Sequence, residues 1–217
     1  MRGLSATTLP DLEGRSAQDV LAFAVDRFDR LTLACSFQKE ESVLFHMVSA
    51  LRGGREGVSA FAIDTGVLFP ETLATWKRFE ERFALPIDVF DASSPAQPWT
   101  VDNCCSTAKV VALEKALTGV DAWITGIRRE QAPTRASSPK IELDARRGIV
   151  KLNPLADWSE KDIWRYIFEH DLPYNPLHDE GHASIGCAPC TLPGSGREGR
   201  WAGSEKTECG IHVEQIQ

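Results

Sequence analysis

The chain predicts an α/β fold: a mostly parallel sheet with helices on both faces, followed by a loop-rich carboxyl-terminal tail. Three observations predict it. Strand and helix signals alternate over the first two-thirds of the 217 residues, the order that builds parallel sheets through helical crossovers. The strand runs are short and apolar, as in strands buried on both faces. From Leu172 onward, prolines and glycines dominate, among them Pro173, Pro176, Gly181, Gly186, Pro189, Pro193 and Gly194.

The elements follow in order. Ser16 is placed to cap a helix whose apolar positions are Val20, Leu21, Ala24, Val25 and Phe28. Leu31–Cys35 reads as the first strand, and a polar loop then leads to a helix from about Glu41 to Leu51. Val58–Ile63 is the second strand. Pro70 to Phe83 is the next helix, with proline in its first turn. Ile87–Phe90 is the third strand, a helix from about Cys104 to Leu117 ends near Gly119, and Ala122–Thr125 is the fourth strand. Ile141–Leu143 and Ile149–Leu152 pair as a hairpin through Ala145 to Gly148. Ser159, with Asp162 three residues on, opens a helix ending near His170. One domain is expected over 1–217, with a core of about 16–170 and a tail of about 171–217.

A hydrophobic fraction of 42% and a charged fraction of 25% are ordinary for a globular protein. No apolar run reaches the ~18 residues a membrane helix needs, and Met1-Arg2-Gly3-Leu4 leads into no apolar h-region. A cytoplasmic protein with reduced thiols is therefore expected, with no membrane partner. The net charge of −7 argues against a nucleic-acid surface. Local basic clusters at Arg128-Arg129, Arg135, Arg146-Arg147, Arg197, Arg200 and Lys206 still suit a small anion.

In such sheets ligands bind beyond the carboxyl ends of the strands, and three strand-end loops carry chemistry. Ser36-Phe37-Gln38-Lys39-Glu40-Glu41-Ser42 leads into a helix N-terminus, an anion site by virtue of its unpaired N–H groups. It is close to an S-G-G-x-D-S phosphate loop, but Phe37 and Gln38 stand where glycines would be, which points to an anion other than intact ATP held with side-chain contacts. An ordinary polar turn is the plainer reading. Asp64-Thr65-Gly66 offers a carboxylate and a hydroxyl for ribose or adenine, or simply caps the next helix. Gly126-Ile-Arg-Arg-Glu-Gln-Ala-Pro-Thr-Arg135 presents three arginine forks suited to phosphate or sulfate oxygens, against the alternative of a solvated charge run.

Six cysteines complete the pattern. Cys104-Cys105 and Cys187-x-x-Cys190 are two tight pairs that could hold zinc or an iron–sulfur cluster. Adjacent cysteines chelate one small ion awkwardly, whereas a [4Fe–4S] cube offers each thiolate its own iron, so the spacing favours the cluster. Cys209, between Lys206 and His212, is the candidate nucleophile, because nearby positive charge raises the thiolate fraction. Cys35, inside an apolar strand, is read as a small core hydrophobe.

These loops and cysteine pairs, with Gly199-Arg-Trp-Ala-Gly203 and above all Lys206-Thr-Glu-Cys-Gly-Ile-His212, resemble the assimilatory sulfonucleotide (APS/PAPS) reductases, and specifically their iron–sulfur-containing branch. The resemblance runs from about residue 30 to 212. It implies a Rossmann-like, adenine nucleotide α-hydrolase-like (PP-loop) fold and the reduction of adenosine 5′-phosphosulfate (APS) to sulfite and AMP. Cys209 would carry an S-sulfo intermediate that thioredoxin, or a glutaredoxin-like donor, discharges. It further implies a [4Fe–4S] cluster on Cys104, Cys105, Cys187 and Cys190, and a dimer or tetramer. The implied substrate-binding set begins with Ser36, Phe37, Gln38, Lys39, Glu40, Ser42, Asp64, Thr65 and Gly66. It continues through Lys109, Gly126, Arg128, Arg129, Gln131 and Arg135 to Arg197, Arg200, Lys206 and His212. One departure stands out: Ala108 and Ala112 replace an arginine and a proline usual after the cysteine pair. A preference for the 3′-phosphorylated substrate (PAPS), an ATP-using adenylating enzyme of the same fold, and a zinc-stabilised binding module are the competing readings.

Overall fold

In the computed structural model, residues 9–53, 55–93 and 107–201 are described. The elements run α1 (Ala17–Arg27), β1 (Leu31–Cys35), α2 (Lys39–Arg52), β2 (Val58–Asp64), α3 (Pro70–Arg82), β3 (Ile87–Asp91), α4 (Thr107–Ala116), β4 (Ala122–Ile124), β5 (Ile141–Asp144), β6 (Ile149–Leu152) and α5 (Glu160–Glu169).

Local chemistry sets most boundaries. Ser16 and Asp19 exchange bonds at the start of α1: the Asp19 N–H donates to Ser16 Oγ at 3.1 Å and the Ser16 N–H to the Asp19 carboxylate. Ser159 and Asp162 do the same for α5, each satisfying orphan N–H groups of a first turn. Pro70 opens α3, and Gly53, left-handed at φ 56°, ends α2. Helix α2 begins two residues before the expected Glu41. Its first turn is entirely polar, so apolar periodicity gives no sign of it. Of the helix expected from Cys104, the part from Thr107 is present and 104–106 lie outside the described residues.

The six strands form one sheet in the order β3-β2-β1-β4-β6-β5. All neighbours are parallel except β5 and β6, the expected hairpin. Alternation along the strands sorts the core. Leu31, Leu33, Ala60, Ala62, Ala122 and Ile124 face a large cluster shared with α1, α2, α3 and α5, while Phe61 and Trp123 face Leu113, Ala116 and Leu117 at α4. Helices thus cover both faces. No helix among the described residues is long and apolar enough to cross a membrane.

The chain winds outward from β1 to β3, then returns to place β4 on the other side of β1. That reversal leaves a crevice at the carboxyl ends of β1 and β4. Residues 172–201 close it. This segment is loop-rich, as expected, yet it buries Leu177, Ile185, Cys187, Cys190 and Trp201. Isolated bridges at Leu68–Cys187, His182–Gly194 and Thr191–Arg200 hold its shape.

Candidate active site

A cavity of about 360 Å³ lies at this reversal point. Its first wall is the β1–α2 loop. Phe37 adopts φ 58°, a left-handed conformation that costs a non-glycine residue about 1–2 kcal/mol. The ring offsets that cost by packing parallel to Trp76 at 4.9 Å and edge-on to Phe79. An aromatic anchor therefore supplies the turn that glycine supplies in a phosphate loop. Gln38 follows, and its Oε1 accepts from the Ile185 N–H at 2.8 Å. Lys39 is buried, donating to the Ala183 carbonyl and pairing with Glu160 at 3.2 Å. These bonds lock the loop to the tail segment. Ser42 is fully buried and donates to the Pro173 carbonyl at 2.7 Å, so its hydroxyl is turned away from the cavity.

The second wall is the loop after β4. Arg128, 3% exposed, donates from Nε to Glu40, 4% exposed, at 2.9 Å, and from Nη1 to Glu130 and the Trp158 carbonyl. Gln131 is the hub. Its Nε2 donates to Glu40 and to the Gly126 carbonyl, and its Oε1 accepts from the Arg128 N–H and from Arg135. Arg135 lines the cavity beside Arg128. Arg129 does not: it reaches outward to the Ser138 carbonyl and Glu13.

The buried acids beneath these walls differ. Burial works to raise the pKa of Glu40, but Lys39 and the Arg128 guanidinium outweigh it and hold the group below the ordinary carboxylate range. Glu41 has no such ion pair among the described residues and is pushed up to about 8, first by burial and then by the charge of Glu40. Glu41 was not among the residues singled out from the sequence; the acidic doublet in a helix's first turn was the available sign. Gly126 is packed against both. A Cβ there would sit 2.7 Å from Glu41 Oε1 and 2.9 Å from Glu40 Cβ. Gly126→Ala is therefore expected to destabilise the protein by ~1–3 kcal/mol, read as a lower urea midpoint at unchanged slope.

On the β2–α3 loop, Asp64 accepts from the Gly66 N–H at 2.8 Å, and Gly66 takes φ 69°. Neither lines the cavity. Thr65 does, and its Oγ1 lies 3.2 Å from Cys187 Sγ. Lys109, in the first turn of α4, also lines it, as do Arg197 and Arg200 of the tail. Arg200 is buried, donates to the Ile185 carbonyl at 2.9 Å and stands 4.6 Å from the Trp201 ring centroid. Gly186 makes room for that guanidinium, since a Cβ would meet it at 2.5 Å.

Cys187 and Cys190 are buried at the two ends of one short turn. The turn is clamped to the β2–α3 loop by the Ala188 N–H donating to the Val67 carbonyl at 2.9 Å. Two buried sulfurs on a shared turn are soft donors suited to an iron–sulfur cluster. Among the described residues no group of three or more His, Cys, Asp or Glu forms a metal site. Completion of a four-thiolate set would fall to Cys104 and Cys105. Those two residues, with Lys206, Cys209 and His212, lie outside the described residues.

The sheet order and the crevice at its reversal point define a doubly wound, Rossmann-like α/β protein. The chain belongs to the phosphoadenosine phosphosulfate reductase family, whose domain matches residues 30–193. It is 44% identical to a phosphoadenosine 5′-phosphosulfate reductase of Gloeobacter violaceus, over 97% of this chain and 96% of that one. It is 41% identical to an adenosine 5′-phosphosulfate reductase of Geobacillus kaustophilus, over 94% and 92%. Among solved structures, the phosphoadenylyl-sulfate (PAPS) reductase from Candida auris, in its phosphate complex, superposes with a TM-score of 0.72 at 28% identity, covering 83% of this chain and 92% of that one.

Proposed function

We propose that this protein reduces APS to sulfite and AMP, drawing electrons from a dithiol protein of the thioredoxin or glutaredoxin type. The observation that carries the proposal is convergence on one cavity: an anion-type loop at a helix N-terminus, Arg135 and Arg128, Lys109, Arg197 and Arg200, and the Cys187 turn all line it.

The chemistry is a sulfonyl transfer. The Cys209 thiolate attacks the sulfur of APS, an S–S bond forms, and the sulfur–oxygen bond to the phosphate breaks with its electron pair leaving on AMP. A donor thiolate then attacks Cys209 Sγ and displaces sulfite. The resulting mixed disulfide is resolved by the donor's second thiol, which regenerates the Cys209 thiolate. Two thiols are oxidised to a disulfide while sulfate-level sulfur is reduced to sulfite. Cationic side chains on the wall would hold the phosphate and sulfonate oxygens as charge gathers there. Cys104, Cys105, Cys187 and Cys190 would hold a [4Fe–4S] cluster, which when bound shapes the electrostatic field around the sulfonate and orders the wall. The two cysteine pairs favour APS, and relatives of near-equal identity carry APS and PAPS names. A cytoplasmic homo-oligomer is the setting expected.

The test is sulfite release by anaerobically purified protein with thioredoxin and either nucleotide. APS-dependent sulfite is expected. Preference for PAPS would keep the chemistry and reverse the specificity, and no sulfite from either, with the cluster intact, would overturn the proposal.

A further inference from the structure

Glu40 and Glu41 both line the cavity and both are buried, yet only one has a cation. Glu40 takes Arg128 at 2.9 Å and Gln131 at 3.1 Å. Glu41 takes the Gln38 N–H at 2.9 Å and the Ser36 hydroxyl at 3.2 Å. Among the described residues, Glu41 forms no ion pair. Its carboxyl is also hemmed in, because Gly126 packs so closely that a single added carbon would touch Oε1. Two anions on adjacent residues in a buried helix turn repel, and the one without a cation keeps its proton.

The groups around it agree. On β1, the Cys35 thiol is pushed up by burial and then by Glu41, so it adds no charge. On α2 and the arginine loop, Lys39 and Arg128 are already committed to Glu160 and Glu40. Arg135, which donates to Gln131, lines the same cavity, as do Lys109 and Arg197.

We propose that Glu41 is a proton-holding specificity residue: its neutral carboxyl closes the floor of the anion site, and a nucleotide phosphate enters only while that proton is in place. Once ionised, Glu41 sets a fixed negative charge against the α2 N-terminus, where it competes with the phosphate for the positive end of the helix. Binding above the ionisation range of Glu41 therefore takes up one proton from solvent per phosphate bound. This rests on the functional reading above, and it is independent of sulfonyl transfer itself.

AMP is the probe, titrated calorimetrically into full-length, cluster-loaded protein carrying Cys209→Ser, so that ionisation of Cys209 does not contribute. From about pH 6.5 to 9.5 the Kd is expected to be constant at first and then to rise about tenfold per pH unit above about 8. Adding Glu41→Gln is expected to flatten that rise, which loss of packing alone would not do. A flat profile with Glu41 present, or an unchanged rise in Glu41→Gln, overturns the proposal and leaves the functional reading standing. Absence of AMP binding at every pH overturns the functional reading and this proposal with it. Should Glu41→Gln fail to fold, titrations at about pH 8.5 in buffers of different ionisation enthalpy still decide. Uptake of about three-quarters of a proton per AMP is expected, and no uptake overturns it.

Discussion

Cys209→Ser is expected to lose sulfite release by roughly four orders of magnitude or more, because in the proposed reaction the first bond forms at that sulfur and serine is a far weaker nucleophile. A single-turnover experiment separates this role from a structural one. Unmodified protein given APS without donor should gain one SO3 group on the peptide containing Cys209, and addition of reduced thioredoxin should remove it as sulfite. The serine variant should gain none. Retention of APS-dependent sulfite in the variant would move the nucleophile elsewhere in the chain. The other described cysteine on the cavity wall besides Cys187 is Cys35, a poor substitute because burial holds its thiol protonated.

Arg128→Met is expected to cost about 3–5 kcal/mol of stability, the range for breaking a buried ion pair on one side. The substitution strands Glu40 at 4% exposure, releases the hydrogen bonds to Glu130 and the Trp158 carbonyl, and leaves Gln131 to make the remaining side-chain hydrogen bond to Glu40 from that loop among the described residues. A urea titration reads it as a lower midpoint at constant slope. Glu40→Gln added to Arg128→Met should recover part of the loss, since it removes the uncompensated charge. A double-mutant cycle then isolates the pair itself. A loss below about 1 kcal/mol would place the pair among exposed bridges of small worth, contrary to its burial.

Much of the fold was legible because its signals are local. The caps at Ser16 and Ser159, proline at position 70, and the alternation of strand and helix each act over a few residues, and the structure carries all of them. The adjacency of β4 to β1, and of β6 to β4, was not legible, because it depends on pairings such as Leu31 with Ala122 that no short window contains. The site divides the same way. The loops and the C-x-x-C turn were visible as motifs, but not which members of a motif face inward. Arg129 and Arg135 read alike in sequence, yet two successive short turns send one to Glu13 and the other to the cavity. Ser42 looked like a phosphate-loop hydroxyl, and helical phase carried it to the Pro173 carbonyl. Phe37 stands where a glycine would be, and what sequence does not show is that its ring, buried against Trp76, holds the left-handed turn.

The closure of the crevice by residues 172–201 bears on biogenesis. Gln38 meets Ile185 across 147 positions, and Lys39 meets Ala183 across 144. A nascent chain that has emerged as far as α5 can pair all six strands, yet it still lacks the wall that carries Ala183, Cys187 and Arg200. Contacts of such separation form late and slowly. Closure of that wall is therefore expected to follow pairing of the sheet, and truncations that remove residues 172–201 should accumulate as sheet-containing species that do not bind AMP.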